Sequence, residues 1–286
     1  MQTAILVIIG LVVLVYVGAP LLIKSTMHLN RRPTVRAMDV PALPSEAHDY
    51  FGRTAGPLAA LGFELRAYFA LDDAVPNVNS VHAWWVNHDT GQNALASVIY
   101  TRTPNSALPP KAKPYLEFLT KEASGLAIMT NNSPDASSFK RLPDADTLIA
   151  SAVQDVNDLY RLHVAREHRL GSAGATRYVP APGDELAVFV EMYDYPILRQ
   201  VEVGYFRYDD QADVYRMTTR GAFAMTWGQL PPIVQLRRAR DRAEASRQLA
   251  EVNRAPRDPR RGVPVTSDSP YKAAVARMRS GLLAAR

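Results

Sequence analysis

The sequence contains no cysteine among its 286 residues. This absence excludes disulfide bonds, thiolate zinc sites, cysteine nucleophiles, iron–sulfur clusters and a lipidated cysteine. It does not identify the compartment, because many exported proteins also lack cysteine. The chain is long enough to bury a hydrophobic core without covalent staples, and its hydrophobic fraction of 47% is that of a folded protein.

Recognisable catalytic and cofactor motifs are also missing. The sequence has no G-x-x-x-x-G-K-[ST] phosphate-binding loop, no G-x-G-x-x-G fingerprint and no G-x-S-x-G nucleophile elbow. His163 and His168 are five residues apart, so the spacing of a helical zinc-protease motif is missing too. The motifs therefore predict no catalytic residue, no cofactor and no metal ligand, and they favour a protein without enzymatic activity.

One long segment carries no charge at all. Residues 3–23 form a run of 21 uncharged, mostly apolar residues. As a helix this run would extend roughly 30 Å, the thickness of a bilayer's hydrocarbon core. The alternative is a cleaved signal peptide, but the run exceeds a usual signal-peptide core and no Lys or Arg precedes it. We predict a retained transmembrane anchor over residues 1–24, in which water at the interface satisfies the helix end around Pro20.

The flanks of this segment predict its orientation. Only two uncharged residues precede it, whereas four basic residues follow it: Lys24, Arg31, Arg32 and Arg36. The positive-inside rule then places the N-terminus outside and the remainder of the chain in the cytoplasm. The predicted location is the cell membrane, with one span and a cytoplasmic domain.

Composition divides the rest of the chain into three parts. Residues 25–45 contain three prolines among polar residues, which is typical of a stalk. Residues 46–252 form the predicted soluble domain. Residues 253–286 form a basic tail, predicted to be disordered up to Pro270, with eight Lys and Arg against two Asp. Because this tail carries the chain's whole basic excess, we expect no nucleic-acid binding.

Short strands separated by turn-forming residues dominate the predicted domain. Strands are predicted over 63–70, 81–88, 94–101, 114–121, 126–131, 185–193, 200–208 and 213–219. Helices are predicted over 46–61, 146–170 and 232–252, with Asp146 as an N-cap and Gly62 just after the first helix. The predicted class is α+β: a single N-terminal transmembrane helix, then a mostly antiparallel sheet packed with two or three helices.

Two histidine-containing arrangements are the candidates for a ligand pocket. His82 and Trp84 alternate along a predicted strand and therefore share one of its faces. His163 lies on the apolar face of the 146–170 helix, and Asp158 precedes it on the same helix. Each residue also has an ordinary structural interpretation, as a hydrogen-bonded core histidine, a core aromatic or a solvated carboxylate.

The end of the tail has an amphipathic pattern. Apolar and basic residues recur at helical spacing on two different faces: Tyr271, Ala274, Val275, Met278 and Leu282 on one, and Lys272, Arg279 and Arg286 on the other. Such a segment can lie on an anionic lipid surface or dock in a partner's groove. A frayed tail whose pattern arose by chance is the alternative.

These observations favour a single-pass membrane accessory or scaffold protein that binds protein partners at the cytoplasmic membrane face. The alternative is a membrane-tethered enzyme or small-ligand-binding domain, with a pocket between the sheet and the 146–170 helix. The two hypotheses differ in one structural expectation. The alternative requires the candidate residues of the strand and the helix to converge in a concave, partly buried pocket.

Overall fold

The apolar N-terminal segment forms a continuous helical rod. In a computed structural model that describes residues 2–102, 109–135, 137, 139–172, 174–254 and 265–284, helices α1 (Gln2–Val13) and α2 (Ala19–Thr26) continue through one π-helical turn. Among these residues one helical stretch, Thr3–Thr26, is long and apolar enough to cross a membrane; its most apolar window has a mean hydropathy of 2.9 and is 6% buried. Length and composition alone carry this finding, and a signal sequence satisfies them equally.

The described residues that follow form twelve strands in three sheets. In chain order they are β1 (His28–Asn30), β2 (Thr34–Met38), β3 (Glu64–Val75), β4 (Val78–Asn87), β5 (Gln92–Thr101), β6 (Lys111–Lys121), β7 (Ala127–Asn131), β8 (Ala145–Ile149), β9 (Arg177–Tyr178), β10 (Phe206–Asp209), β11 (Val214–Met217) and β12 (Val265–Thr266). The main sheet has the order β2-β3-β4-β5-β6-β7-β8, and its neighbours are antiparallel except for β7 and β8. The predicted α+β class with a mostly antiparallel sheet is confirmed.

The predicted hairpins form the centre of the main sheet. β4 and β5 pair from Val78 with Thr101 to Asn87 with Gln92, so the register is unbroken along the whole hairpin. Gly91 in the turn has a φ of +64°, a conformation that glycine adopts without a steric penalty. β6 and β7 form the second predicted hairpin.

Helices cover both faces of the main sheet. Successive residues of β4 point to opposite faces, because side chains alternate along a strand. One face packs against α3 (Ser45–Ala60) and α4 (Val156–Arg169), around buried residues such as Ala83 and Trp85. The other face, which includes Trp84, packs against α5 (Glu185–Glu202). The sheet therefore separates two hydrophobic cores.

A smaller sheet links the N-terminal helix to the rest of the protein. Its strand order is β1-β11-β10, all antiparallel, and its core contains Leu29, Phe206 and Tyr215. Helix α2 packs against β11 and against α6 (Thr219–Gln229). Two helices follow α6: α7 (Ile233–Arg254), which confirms the predicted helix over 232–252, and α8 (Lys272–Ala284).

The predicted strand over 185–193 is wrong, because this segment is the first half of α5. Its Val, Phe and Tyr residues favour strands in isolation. In the fold, however, Val188 and Phe189 are buried against the main sheet, and Ile197 and Leu198 are buried in the core of the smaller sheet. This packing on two sides of the helix outweighs local preference. The predicted strand over 200–208 shrinks to β10, since Gly204, with a φ of +77°, ends the α5 helix first.

The predicted helix over 146–170 begins later than expected. Residues Ala145–Ile149 form β8, whose β-branched Thr147 and Ile149 suit a strand. The N-cap of α4 is Asp155, whose carboxylate accepts a hydrogen bond of 2.9 Å from the backbone N–H of Asp158. Asp146, the predicted N-cap, lies in the strand.

The stalk predicted over residues 25–45 is corrected by β1 and β2. Both strands pair within the fold, β1 with β11 and β2 with β3. The prolines of this segment stand between elements, where the missing N–H removes no ladder hydrogen bond: Pro33 between β1 and β2, Pro41 in a 3₁₀ turn and Pro44 at the start of α3. The folded domain therefore begins directly after the apolar helix.

The C-terminal tail is largely part of the domain as well. The predicted disordered linker lies mostly in 255–264, outside the described residues. Residues 265–284, which we name the C-terminal strap, contain β12, paired in parallel with β9, and helix α8. The amphipathic helix is thus confirmed, but its apolar face packs on α5 instead of remaining free for a membrane or a partner: Tyr271 is 4% and Val275 5% exposed. The predicted domain boundary at 252 is wrong.

Candidate functional site

His82 is a fully hydrogen-bonded core histidine. Its Nε2 lies 2.8 Å from the Ser80 hydroxyl and its Nδ1 lies 2.8 Å from the Ser97 hydroxyl. The ring stacks on Phe69, with 5.0 Å between ring centroids, and lies 5.2 Å from Phe189 of α5. Burial lowers the pKa of His82 to about 3, so the imidazole is neutral at physiological pH. With both nitrogens occupied, this ring has no free position for a ligand.

Trp84 lies on the same face of β4 as His82 and is also satisfied internally. Its indole Nε1 donates to Asn93 Oδ1 at 3.0 Å, and its ring contacts Phe189 edge-on. The side chain is 2% exposed. The structure therefore brings this pair of candidates together, but under the cover of α5.

His163 and Asp158 belong to the opposite side of the sheet. His163 Nε2 lies 3.0 Å from the Thr120 hydroxyl and its Nδ1 lies 3.1 Å from the Thr130 hydroxyl. Burial lowers the pKa of His163 to about 4. Asp158 stands at the first turn of α4, with a side chain that is 40% exposed and paired with Arg161 at 3.4 Å. The candidates therefore do not converge, because the main sheet lies between His82 and His163.

A buried ion pair that the sequence did not reveal lies beside His163. Glu167 of α4 and Arg177 of β9 are both fully buried, 3.2 Å apart. Thr120 and Gln92 donate hydrogen bonds to the Glu167 carboxylate, and Arg177 donates to the backbone carbonyl of Thr90 at 2.7 Å. Burial alone would raise the pKa of Glu167, but the imidazole, the guanidinium and these donors hold it below its ordinary value.

This ion pair ties α4 to the sheet and to the segment that follows α4. The stretch 166–169, with its four charged or titratable residues, suggests a solvated helix end, yet Arg166 is 1% and Glu167 0% exposed. Arg166 donates to Thr130 at 2.7 Å and pairs with Asp146. Apart from the Arg177 Nε, which has no acceptor among the described residues, these groups satisfy one another, so the network is a structural tie between elements.

Lys121, at the end of β6, is a titratable group of a different kind. It is 4% exposed, and no hydrogen-bond acceptor among the described residues reaches its Nζ. The Nζ lies 4.1 Å from the ring centroid of Tyr271 in the C-terminal strap. Burial lowers the pKa of Lys121 to about 7, although the charges of Glu191 and Glu117 act in the opposite direction. The strap therefore covers an amine that can change its charge near neutral pH.

An open groove of about 620 Å³ lies between α5 and α8. Apolar side chains of both helices, including Leu198 and Met278, line it together with charged groups of both signs, including Asp144, Glu202 and Arg277. Two further clefts of about 410 and 420 Å³ lie beside β8 and α7. The residues that line these three clefts do not include the four candidates from the sequence.

The junction between the apolar helix and the domain is the most specific contact of the N-terminal segment. Because Pro20 has no N–H, the carbonyl of Tyr16, four residues earlier, lacks its usual helical donor. The indole Nε1 of Trp227 in α6 donates to this carbonyl at 2.8 Å, and the Tyr16 hydroxyl donates to the carbonyl of Pro231. Pro20 is buried at the contact. A domain side chain, instead of interfacial water, therefore satisfies the helix at its proline.

Among the residues that the structure describes, no group of three or more His, Asp or Glu side chains is arranged to hold a metal ion. Comparisons of the chain with protein-family models, with curated proteins and with solved structures give no match.

Proposed function

We propose that the protein is a single-pass membrane accessory protein that holds its domain in one fixed orientation at the bilayer surface and there binds a protein partner. The observation that carries this proposal is the junction at Tyr16, Pro20 and Trp227. A flexible stalk would let the domain tumble. A helix that is hydrogen-bonded to α6 and separated from β1 by a single residue instead fixes the domain relative to the membrane normal.

The charges around the apolar helix favour a cytoplasmic domain. Lys24 lies in the last turn of α2, and Arg31, Arg32 and Arg36 follow the helix in and around β1 and β2. Because the chain has no cysteine, single cysteines can report the topology. In intact cells, a membrane-impermeant maleimide should label Gln2→Cys but should label Leu65→Cys only after lysis. Labelling of Leu65→Cys in intact cells would refute the orientation, and release of the protein by alkaline carbonate would refute the anchor itself.

The groove between α5 and α8 is the surface we propose for the partner. An apolar floor within a charged rim is the usual anatomy of a protein interface. Arg277 lines the groove, whereas Lys272 is exposed on the same helix and is not among the residues that line the groove. Charge reversal at these two positions therefore makes a matched pair of variants.

The test is a comparative affinity purification in mild detergent. A partner that co-purifies stoichiometrically with the wild type should be retained by Lys272→Glu and lost from Arg277→Glu. Equal retention by both variants would remove the groove as the binding surface. If no partner co-purifies in any sample, the partner-binding part of the proposal fails.

Lys121 favours a second candidate function, binding or turnover of a small ligand. A buried amine that no hydrogen-bond acceptor of the described residues reaches, with a pKa lowered to about 7, resembles the tuned groups of functional sites. The ligand would enter beneath the strap, not between the sheet and α4, where Leu159, Leu162 and His163 fill the space. A small-molecule screen by thermal shift tests this: compounds that stabilise the wild type but not Lys121→Met support it. Compounds that stabilise both proteins equally would exclude this lysine.

A further inference from the structure

The corner of the domain that touches the apolar helix exposes large apolar side chains. Trp227, at the end of α6, is 42% exposed. Ile233 and Leu236, in the first turns of α7, are 38% and 67% exposed. We name these three residues the membrane-facing corner. It is continuous with the apolar helix, because Trp227 and Pro231 are both hydrogen-bonded to Tyr16.

The length of the apolar helix determines how deep this corner lies. Residues 3–15, which precede Tyr16, extend roughly 20 Å at 1.5 Å per residue. The hydrocarbon core of a bilayer is about 30 Å thick. If the helix spans it, roughly seven further residues, to about Leu22, must also lie within the bilayer. Of these residues, 19–22 belong to α2, which packs on α6, so α6 and the start of α7 must reach the lipid as well.

The residue types of the corner suit the boundary between lipid and water. An indole that donates a hydrogen bond while its ring faces outward is the typical occupant of a membrane interface. Exposed arginines follow Leu236 along α7: Arg237, Arg238, Arg240 and Arg242. Their guanidinium groups are matched to the phosphates of lipid headgroups.

We propose that the membrane-facing corner is a second membrane-contact surface, which embeds Trp227, Ile233 and Leu236 among the acyl chains just beneath the headgroups. The inference rests on the proposed anchoring by the apolar helix. It goes further, because it makes part of the folded domain a monotopic element that lipid covers. The exposed apolar side chains are then buried in the membrane-bound protein.

The test uses nitroxide labels on single cysteines, which the cysteine-free chain permits without other changes. The full-length variants Leu236→Cys, Leu65→Cys and Leu11→Cys are reconstituted in vesicles of phosphatidylcholine and phosphatidylglycerol. Leu65 is the matched control, because it is an apolar residue that is 38% exposed. It lies eight residues before Asp73, and the Asp73 carbonyl accepts a hydrogen bond from Asn30, which is next to the apolar helix. Along β3 this separation is roughly 26 Å. Collisions with oxygen, which concentrates in lipid, are compared with collisions with a water-soluble nickel chelate.

The label at Leu236 should show a several-fold higher ratio of oxygen to nickel collisions than the label at Leu65. The label at Leu11 reports the anchoring independently. If Leu11 is in lipid and Leu236 is as exposed to nickel as Leu65, the membrane-facing corner is refuted while the anchor stands. If Leu11 is itself exposed to nickel, the anchoring fails, and the corner fails with it.

Discussion

Replacing Tyr271 by alanine tests whether the C-terminal strap is an integral part of the fold. Tyr271 is 4% exposed, its ring centroid lies 4.3 Å from that of Tyr195, and its ring lies 4.1 Å from the Lys121 Nζ. Removal of a buried aromatic ring costs roughly 3–5 kcal/mol when the cavity stays open. The aromatic pair with Tyr195 accounts for roughly 1 kcal/mol of this loss in stability. The contact between the Lys121 cation and the Tyr271 ring accounts for about 1–2 kcal/mol more.

The strap can also respond by detaching, which relieves the cavity and limits the loss of global stability. We therefore expect Tyr271→Ala to lower the free energy of unfolding by about 3 kcal/mol and to open α8 to trypsin. Cleavage should occur first after Lys272, Arg277 and Arg279, which lie in this helix.

The assay combines denaturant unfolding in mild detergent with limited trypsin digestion of the native protein. Tyr271→Phe is the matched control: it keeps the ring and should cost about 1 kcal/mol or less. A change below about 0.5 kcal/mol for Tyr271→Ala, the size of an ordinary surface substitution, would refute the docking of the strap, provided that digestion of α8 is also unchanged.

Three further predictions concern the buried titratable groups. Glu167→Gln leaves the Arg177 guanidinium without its buried counter-charge. In chemical denaturation it should lower the free energy of unfolding by roughly 3–5 kcal/mol, and a loss below about 1 kcal/mol would contradict the buried pair. His82 has a folded pKa of about 3 against 6.5 ordinarily, so the unfolded chain binds a proton that the folded chain excludes. Stability should fall as the pH drops from about 6.5 towards 3, and more steeply in the wild type than in His82→Asn; parallel pH profiles would contradict this. Lys121→Met removes a buried ammonium and should raise the melting temperature at pH 7, and a lower melting temperature would mean that the contact with Tyr271 outweighs the cost of burial.

The strands β3 to β7 of the main sheet were predictable because their signal is local. Alternating apolar residues and a turn of polar residues and glycine specify the β4–β5 hairpin within one short stretch of chain. The strand predicted over 185–193 failed for the opposite reason. Its residues favour strands locally, and only the position of the sheet face beneath Val188 and Phe189 makes a helix the better solution. The start of α4 moved from Asp146 to Asp155 for a different reason, because the β-branched Thr147 and Ile149 favour the strand β8, which pairs with β7.

The candidate sites depend on partners distant in sequence, which limits what the pattern alone can show. His82 is satisfied by Ser97 on the neighbouring strand, so its chemistry could not be separated from that of a ligand-binding histidine before the register was known. Lys121 is unusual only because Tyr271 covers it, and the tail gives no sign of that contact beyond its helical periodicity. Because Pro20 lacks an N–H, the sequence indicates that the Tyr16 carbonyl needs another hydrogen-bond donor. Nothing in the sequence identifies Trp227 as that donor.

Because Trp227 donates a hydrogen bond to Tyr16, the domain moves together with the apolar helix when the helix tilts. A transmembrane helix tilts when the bilayer becomes thinner than its apolar length, and tilts of about 20° are common. With a rigid joint at Tyr16, a tilt of this size carries a point about 30 Å away through about 10 Å relative to the lipid surface. If the apolar helix spans the bilayer as we propose, bilayer thickness sets the height and angle at which the domain meets its surroundings.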